Sequence, residues 1–288
     1  CRPTYKRQPT QGGVIVVDLI KRRYPEDPGE IRPERTLEDG TPSIQSISFG
    51  QPLRWLRQGW RDLLRAPSTL LHGLVFSVAG LALVWATWAQ PWFSLALIIG
   101  FLLIGPALAV SLNATARNLE AGKPTNSAAG LGAIAEIGAP LWFFAAILLG
   151  IFAVWTAYTW LWIAVLNVGQ LGLPAHIGEL LSAMLASPAG IVSLAGVLVI
   201  GAAFALVAFA MSVITVPAML DQRSGLVDAV AVSLKAFKRN PVPLLFWAVL
   251  ITALFLFSVL TAFVALIVIF PWLGLAMWHG YRDLVGGN

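Results

Sequence analysis

Three histidines, one cysteine and a thin scatter of acids are the residues in this chain that could do chemistry. His72 and His279 each fall near one end of a hydrophobic run, the first and the last in the sequence. Two imidazoles facing across a pocket are the minimum for a bis-histidine haem, and that reading requires the first and last hairpins to be neighbours. The plainer reading, which the sequence favours, is a pair of interfacial histidines bonded to headgroups or backbone. His176 stands three residues before Glu179, the spacing of neighbours on one helical face, and reads as a surface pair before a metal site. Asp221 and Asp228 have Arg223 and Lys235 close by, so ordinary ion pairing accounts for them. Cys1 is the lone cysteine, which excludes an intrachain disulfide and a thiolate metal cluster. No GxSxG, P-loop, HExxH or dinucleotide-binding glycine pattern occurs. The expectation is a protein that is not an enzyme and has no catalytic, metal or cofactor site.

The elements that would position these residues are membrane helices. Hydrophobic residues make up 58% of the chain and charged ones 11%, against roughly 25% charged in soluble domains. A bilayer core needs about 20 apolar residues per helix. Runs of that kind read as Ser68–Trp88, Pro91–Asn113, Pro140–Trp162, Pro188–Leu220, Pro241–Leu260 and Ala262–Trp278, with a tight turn near Thr261. No Asp, Glu, Lys or Arg lies within them. Intramembrane charges mark ion pathways and proton relays, so an ion-coupled transporter or pump is not expected. The tryptophans, among them Trp85, Trp88, Trp92, Trp155, Trp160 and Trp162, read as interfacial anchors. Gly201, Ala205, Ala208 and Ser212 form a small-residue stripe that lets another helix approach.

Charge fixes the expected topology. Twelve of the 19 basic residues precede the first run, and the rest follow the second, fourth and sixth. Short loops rich in Lys and Arg stay cytoplasmic, so six spans with both termini in the cytoplasm of a bacterial inner membrane are expected. The net charge of +5 borders the spans and has no interleaved stacking aromatics, so it points to anionic headgroups and not to nucleic acid. A leading cysteine invites a lipoprotein reading, but lipidation would put that end outside, against the basic residues around it. No apolar run precedes Pro67, so the first span is expected to direct insertion.

The organisation reads as an extended cytoplasmic arm over 1–50, an amphipathic interfacial helix over 51–66, and a six-helix transmembrane domain over 67–288. The arm is proline-punctuated and charged, with one apolar patch at Val14, Ile15, Val16 and Val17. It cannot bury enough surface to fold alone. It is expected to bind a partner, the patch adding a strand to the partner's sheet; the competing reading packs it on this chain's own cytoplasmic face.

Three pseudo-repeated units are legible, each an interfacial helix followed by a helical hairpin. Arg65-Ala66-Pro67 opens the first hairpin and Arg239-Asn240-Pro241 the last. Aligning Pro106 with Pro271 brings Leu108 onto Leu273, Arg117 onto Arg282, Leu119 onto Leu284 and Gly122 onto Gly287. The middle unit opens at Ala139-Pro140 and is looser, with Pro217 followed by Arg223.

Four stretches resemble a bacterial family of uncharacterised multi-pass inner-membrane proteins, a domain of unknown function. They are Gln58–Leu63, Gly105–Ala109 through Arg117–Gly122, Ser212–Asp221 through Lys238–Pro241, and Trp278–Leu284, whose Trp-His-x-Tyr-Arg-Asp run is the most specific. The resemblance covers about residues 50–286. Its members are often labelled cytochrome c oxidase subunits, and a further histidine commonly stands where this chain has Leu275. The resemblance brings no catalytic residues with it.

Two functional expectations follow. The first is a non-enzymatic accessory or structural subunit of a larger respiratory or photosynthetic inner-membrane complex, held to other subunits by its arm and helices. The alternative is a membrane protein for lipid or small-molecule transport or trafficking, with Arg65, Arg117, Arg223, Arg239 and Arg282 ringing a phospholipid headgroup region.

Overall fold

The computed structural model describes residues 43–87, 100, 105–125, 127–166, 182 and 184–286. The arm with Val14–Val17, the outer Trp88 and Trp92, and the His176–Glu179 pair lie outside these residues. Among the described residues there is no strand. The helices are α1 (Gln51–Arg65), α2 (Leu70–Ala86), α3 (Val110–Glu120), α4 (Ser127–Ile137), α5 (Ala139–Leu166), α6 (Pro188–Ser212), α7 (Thr215–Gln222), α8 (Leu226–Arg239), α9 (Pro241–Leu260) and α10 (Leu266–Val285).

Four helical stretches are long and apolar enough to cross a membrane: Pro67–Ala86, Ala139–Trp162, Pro188–Gln222 and Pro241–Leu260. They correspond to the first, third, fourth and fifth expected spans. The second is only partly within the described residues. The sixth expected span overlaps α10, which is not among these four stretches; it starts at Leu266 instead of Ala262 and continues to Val285, so its last turns carry His279, Arg282 and Asp283. The long fourth stretch is a broken helix. Pro217 cannot donate to the Val213 carbonyl, and the chain leaves helical geometry at Ile214 before resuming as α7.

Local sequence sets the helix ends. Ser187 accepts the Gly190 N–H at 3.0 Å with Pro188 as the first residue of α6, a cap and a preset φ together. At the end of α3, Gly122 has φ +63°, a conformation that costs a glycine nothing. Its N–H bonds Leu119 O at 3.2 Å and the Lys123 N–H bonds Asn118 O at 2.8 Å, so the last carbonyls are satisfied. Between α9 and α10 the turn spans 261–265 and uses left-handed backbone at Ala262 and Phe263.

α10 is the element the others pack on: α1, α2 and α3 all lie against it. Its first half shows how closely. Pro271, inside the helix, has no N–H for the carbonyl of Ile267, four residues earlier. Gly73 of α2 sits over that freed carbonyl, so close that a Cβ there would fall within 3.0 Å of the Ile267 oxygen. One turn along, Ser77 Oγ donates to Phe263 O at 2.8 Å, and Gly80 receives the Phe263 ring. Gly73, Ser77 and Gly80 thus make one face of α2 into a track for α10 and its preceding turn.

Several tryptophans are not anchors. Trp55, Trp247 and Trp278 are each 1% exposed and belong to the main core. Trp155 is buried beside Gly201, and Trp162 donates its indole N–H to Ser193 O at 3.1 Å across the α5–α6 contact. Trp85, Trp142 and Trp160 do face outward. Indole supplies apolar area with one donor, so an internal carbonyl or carboxylate serves it as well as an interface does. In the small-residue stripe, Ala208 and Ser212 are buried, Gly201 meets Trp155, and Ala205 is exposed.

A polar junction at the end of α10

In the second half of α10 Trp278, Gly280, Tyr281, Leu284 and Val285 are buried, His279 and Asp283 are half-buried and Arg282 is exposed, and five of the six residues from Trp278 to Asp283 are polar or carry a polar atom. Burying such groups costs free energy unless each finds a partner, and each does. Trp278 Nε1 donates to Glu120 Oε2 of α3 at 2.7 Å. His279 Nε2 lies 2.6 Å from Asp62 Oδ2 of α1. Tyr281 OH donates to Asp221 Oδ2 of α7 at 2.8 Å and accepts from Gln222 Nε2 at 3.2 Å. Arg282 reaches Glu120 at 3.2 Å and Asp221 at 3.6 Å. Asp283 accepts Trp55 Nε1 at 2.7 Å and the Gln51 amide.

Successive residues of a helix point about 100° apart, so this short run faces α1, α3 and α7 at once. Close approach makes the bonds possible. A Cβ at Gly59 of α1 would lie 2.7 Å from the Ala276 nitrogen, so only glycine lets α1 come this near. Trp272 Nε1 adds a bond to Leu56 O at 2.6 Å. Trp55 and Trp278 wall the junction from the apolar side, with Trp55 edge-on to Trp247 at 5.6 Å.

A second group of charges adjoins the first. Arg117 of α3 makes a two-pronged contact with Glu136 of α4, at 2.9 and 3.3 Å, and donates to Leu220 O at 2.8 Å. Arg223, at the left-handed end of α7, lies 3.8 Å from the same carboxylate. The hydrogen bond from Arg117 holds the Glu136 carboxyl below the ordinary glutamate value; burial opposes this, and the charges of Arg117 and Arg223 add to it. A carboxyl with a lowered folded pKa contributes stability above the ordinary value and loses it as pH falls through the lowered one. Thermal melting in detergent should therefore show an acid-side loss of stability that is smaller in Glu136→Gln.

Of the five arginines expected to ring a headgroup region, Arg117 and Arg282 are engaged by internal carboxylates and Arg223 lies near Glu136. Arg65 is 3.8 Å from Asp62 with its side chain 69% exposed, and Arg239 is exposed in the last turn of α8. Arg117, Arg223 and Arg282 gather near the end of α7, while Arg65 and Arg239 make no ion pair with that group among the described residues. The two histidines do not meet. Gly73, next to His72, packs on Ile267, which precedes His279 by twelve residues, about 18 Å of helix. His279 is bonded to Asp62, and His72 Nδ1 is buried without a hydrogen-bond partner. Leu275 is fully buried in the core. Among the described residues no three His, Cys, Asp or Glu side chains are grouped to hold a metal.

Sequence reasoning named the Trp-His-x-Tyr-Arg-Asp run without giving it a role. A signal was present: seven acids follow residue 42, and five of them, Asp62, Glu120, Glu136, Asp221 and Asp283, meet here.

No curated protein matches the chain, and no solved structure matches it. The resemblance to an uncharacterised multi-pass membrane family is borne out over a shorter length than expected, since the Gln58–Leu63, Lys238–Pro241 and Trp278–Leu284 stretches fall outside the match. This is an integral membrane protein with several apolar helices, whose residues 94–221 match the family model described as predicted integral membrane protein (DUF2189).

Proposed function

We propose that the chain is a non-enzymatic accessory or structural subunit of a larger bacterial inner-membrane complex, respiratory or photosynthetic, built as six spans in three hairpin units with both termini cytoplasmic. The observation that carries this reading is the junction itself. Its polar groups are paired with one another across four helices, which is what a structural scaffold needs. The spans add to it: only 22–28% of each one's most apolar window is buried within the chain, which leaves most of that surface for lipid or other subunits.

The order of elements supports the repeat. α1, α4 and α8 each precede a stretch opened by proline, at Pro67, Pro140 and Pro241. Arg117 and Arg282, equivalent in the alignment of the first and last units, both bond carboxylates beside the end of α7.

Residues 43–48 are strapped down by Asn240, whose side chain accepts the Ile47 N–H and donates to Gln45 O, each at 2.9 Å. Deleting residues 1–42 therefore spares this contact while removing the proposed partner-binding arm with Val14–Val17. The truncated protein should still reach the membrane but purify without the subunits that accompany the full chain. Unchanged co-purification would count against the arm as the attachment.

A further inference from the structure

α1 has three faces, and only one is buried inside the protein. Gln51, Pro52, Trp55, Leu56, Gly59, Asp62 and Leu63 form the buried arc. Next around the helix come Leu53, Trp60 and Leu64, which are 52%, 42% and 66% exposed. The third arc holds Arg54, Arg57, Arg61 and Arg65, all exposed and spaced to fall on one side at 100° per residue. No acid lies on either outward arc, because Asp62 points inward.

The cations are available. Arg54 donates to the neutral Gln51 side chain, and Arg65 only approaches Asp62, at 3.8 Å. Arg57 and Arg61 have no ion pair among the described residues. The apolar edge beside them is tied to the membrane helices: Trp60 stands edge-on to Trp272 of α10 at 5.4 Å, and Phe49, just before α1, stacks on Phe246 of α9 at 4.5 Å. The first span begins at Pro67, directly after this helix.

We infer that α1 is a binding surface for anionic phospholipid, with Leu53, Trp60 and Leu64 entering the edge of the acyl region and Arg54, Arg57, Arg61 and Arg65 contacting phosphate headgroups. An apolar strip beside a cationic strip, with aromatics between it and the spans, is the pattern of a helix lying in the interfacial plane. Charge selects the lipid: a row of four guanidiniums with no acid among them favours anionic over zwitterionic headgroups. The inference rests on the integral-membrane character of the chain and not on the subunit role, so the two fail separately.

The test uses the full chain, exchanged in detergent into equal amounts of phosphatidylglycerol and phosphatidylcholine, with retained lipid read by native mass spectrometry. Each cation near an anionic surface contributes about fivefold in partitioning. Wild type should retain phosphatidylglycerol preferentially, and R54Q/R57Q/R61Q should lower that preference by about tenfold or more. R54K/R57K/R61K, which keeps the charge, should retain most of it. Equal retention of the two lipids by wild type would overturn the inference without any variant. An undiminished preference in the glutamine variant would also overturn it, and would point to an acidic segment or partner covering the arginines.

Discussion

Gly73→Leu should destabilise the protein by about 3 kcal/mol or more, at the upper end of what overpacking a close-packed interior costs. The reason is the identity of the neighbour. Pro271 leaves the Ile267 carbonyl without a helical donor, and Gly73 packs against that oxygen. A flexible side chain could turn away from an added methyl, but a backbone carbonyl cannot, so α2 and α10 would have to separate. Loss of this approach would also misplace Ser77 and Gly80 on the Phe263 turn. Gly150 on α5 is the control, since nothing lies within 4 Å of its Cβ position. Melting in detergent should show a large fall for Gly73→Leu and little change for Gly150→Leu; equal falls would refute the close-approach account.

The second large effect is at Asp62. Its side chain is 8% exposed and that of His279 is 21% exposed, with 2.6 Å between the bonded atoms. Asp62→Leu strands a partly buried imidazole, and an unmet group of this kind costs about 1–3 kcal/mol. Replacing both partners by apolar groups removes the demand along with the bond and is often close to neutral. A cycle of Asp62→Leu, His279→Leu and the double variant should therefore show a coupling of about 1–2 kcal/mol, with the double variant more stable than the sum of the single losses. Strict additivity would mean that the pair contributes nothing as a pair.

Much of the architecture was legible because bilayer solvation imposes simple rules. Long charge-free runs bounded by prolines gave the spans at Pro67, Pro140, Pro188 and Pro241. The amphipathic helix expected over 51–66 is α1. The missed features depend on which neighbour a residue meets. Trp55, Trp247 and Trp278 have the composition of interfacial anchors, and nothing local says that they face a core. The Ile267 carbonyl acquires its importance only when Gly73 arrives from almost 200 residues away in sequence. Charge counting placed Arg117 and Arg282 beside the membrane but could not see the carboxylates that engage them. The break before α7 could have been read from Pro217, since a proline inside a helical run interrupts the preceding turn.

The junction at the end of α10 pairs its polar groups internally, and the proposed role of the chain is to hold other proteins. Purification from native membranes in a mild detergent, followed by mass spectrometry of what accompanies the chain, tests this most directly. A fixed-ratio set of respiratory or photosynthetic subunits is the predicted result. A protein that emerges alone or only with copies of itself would contradict the subunit role.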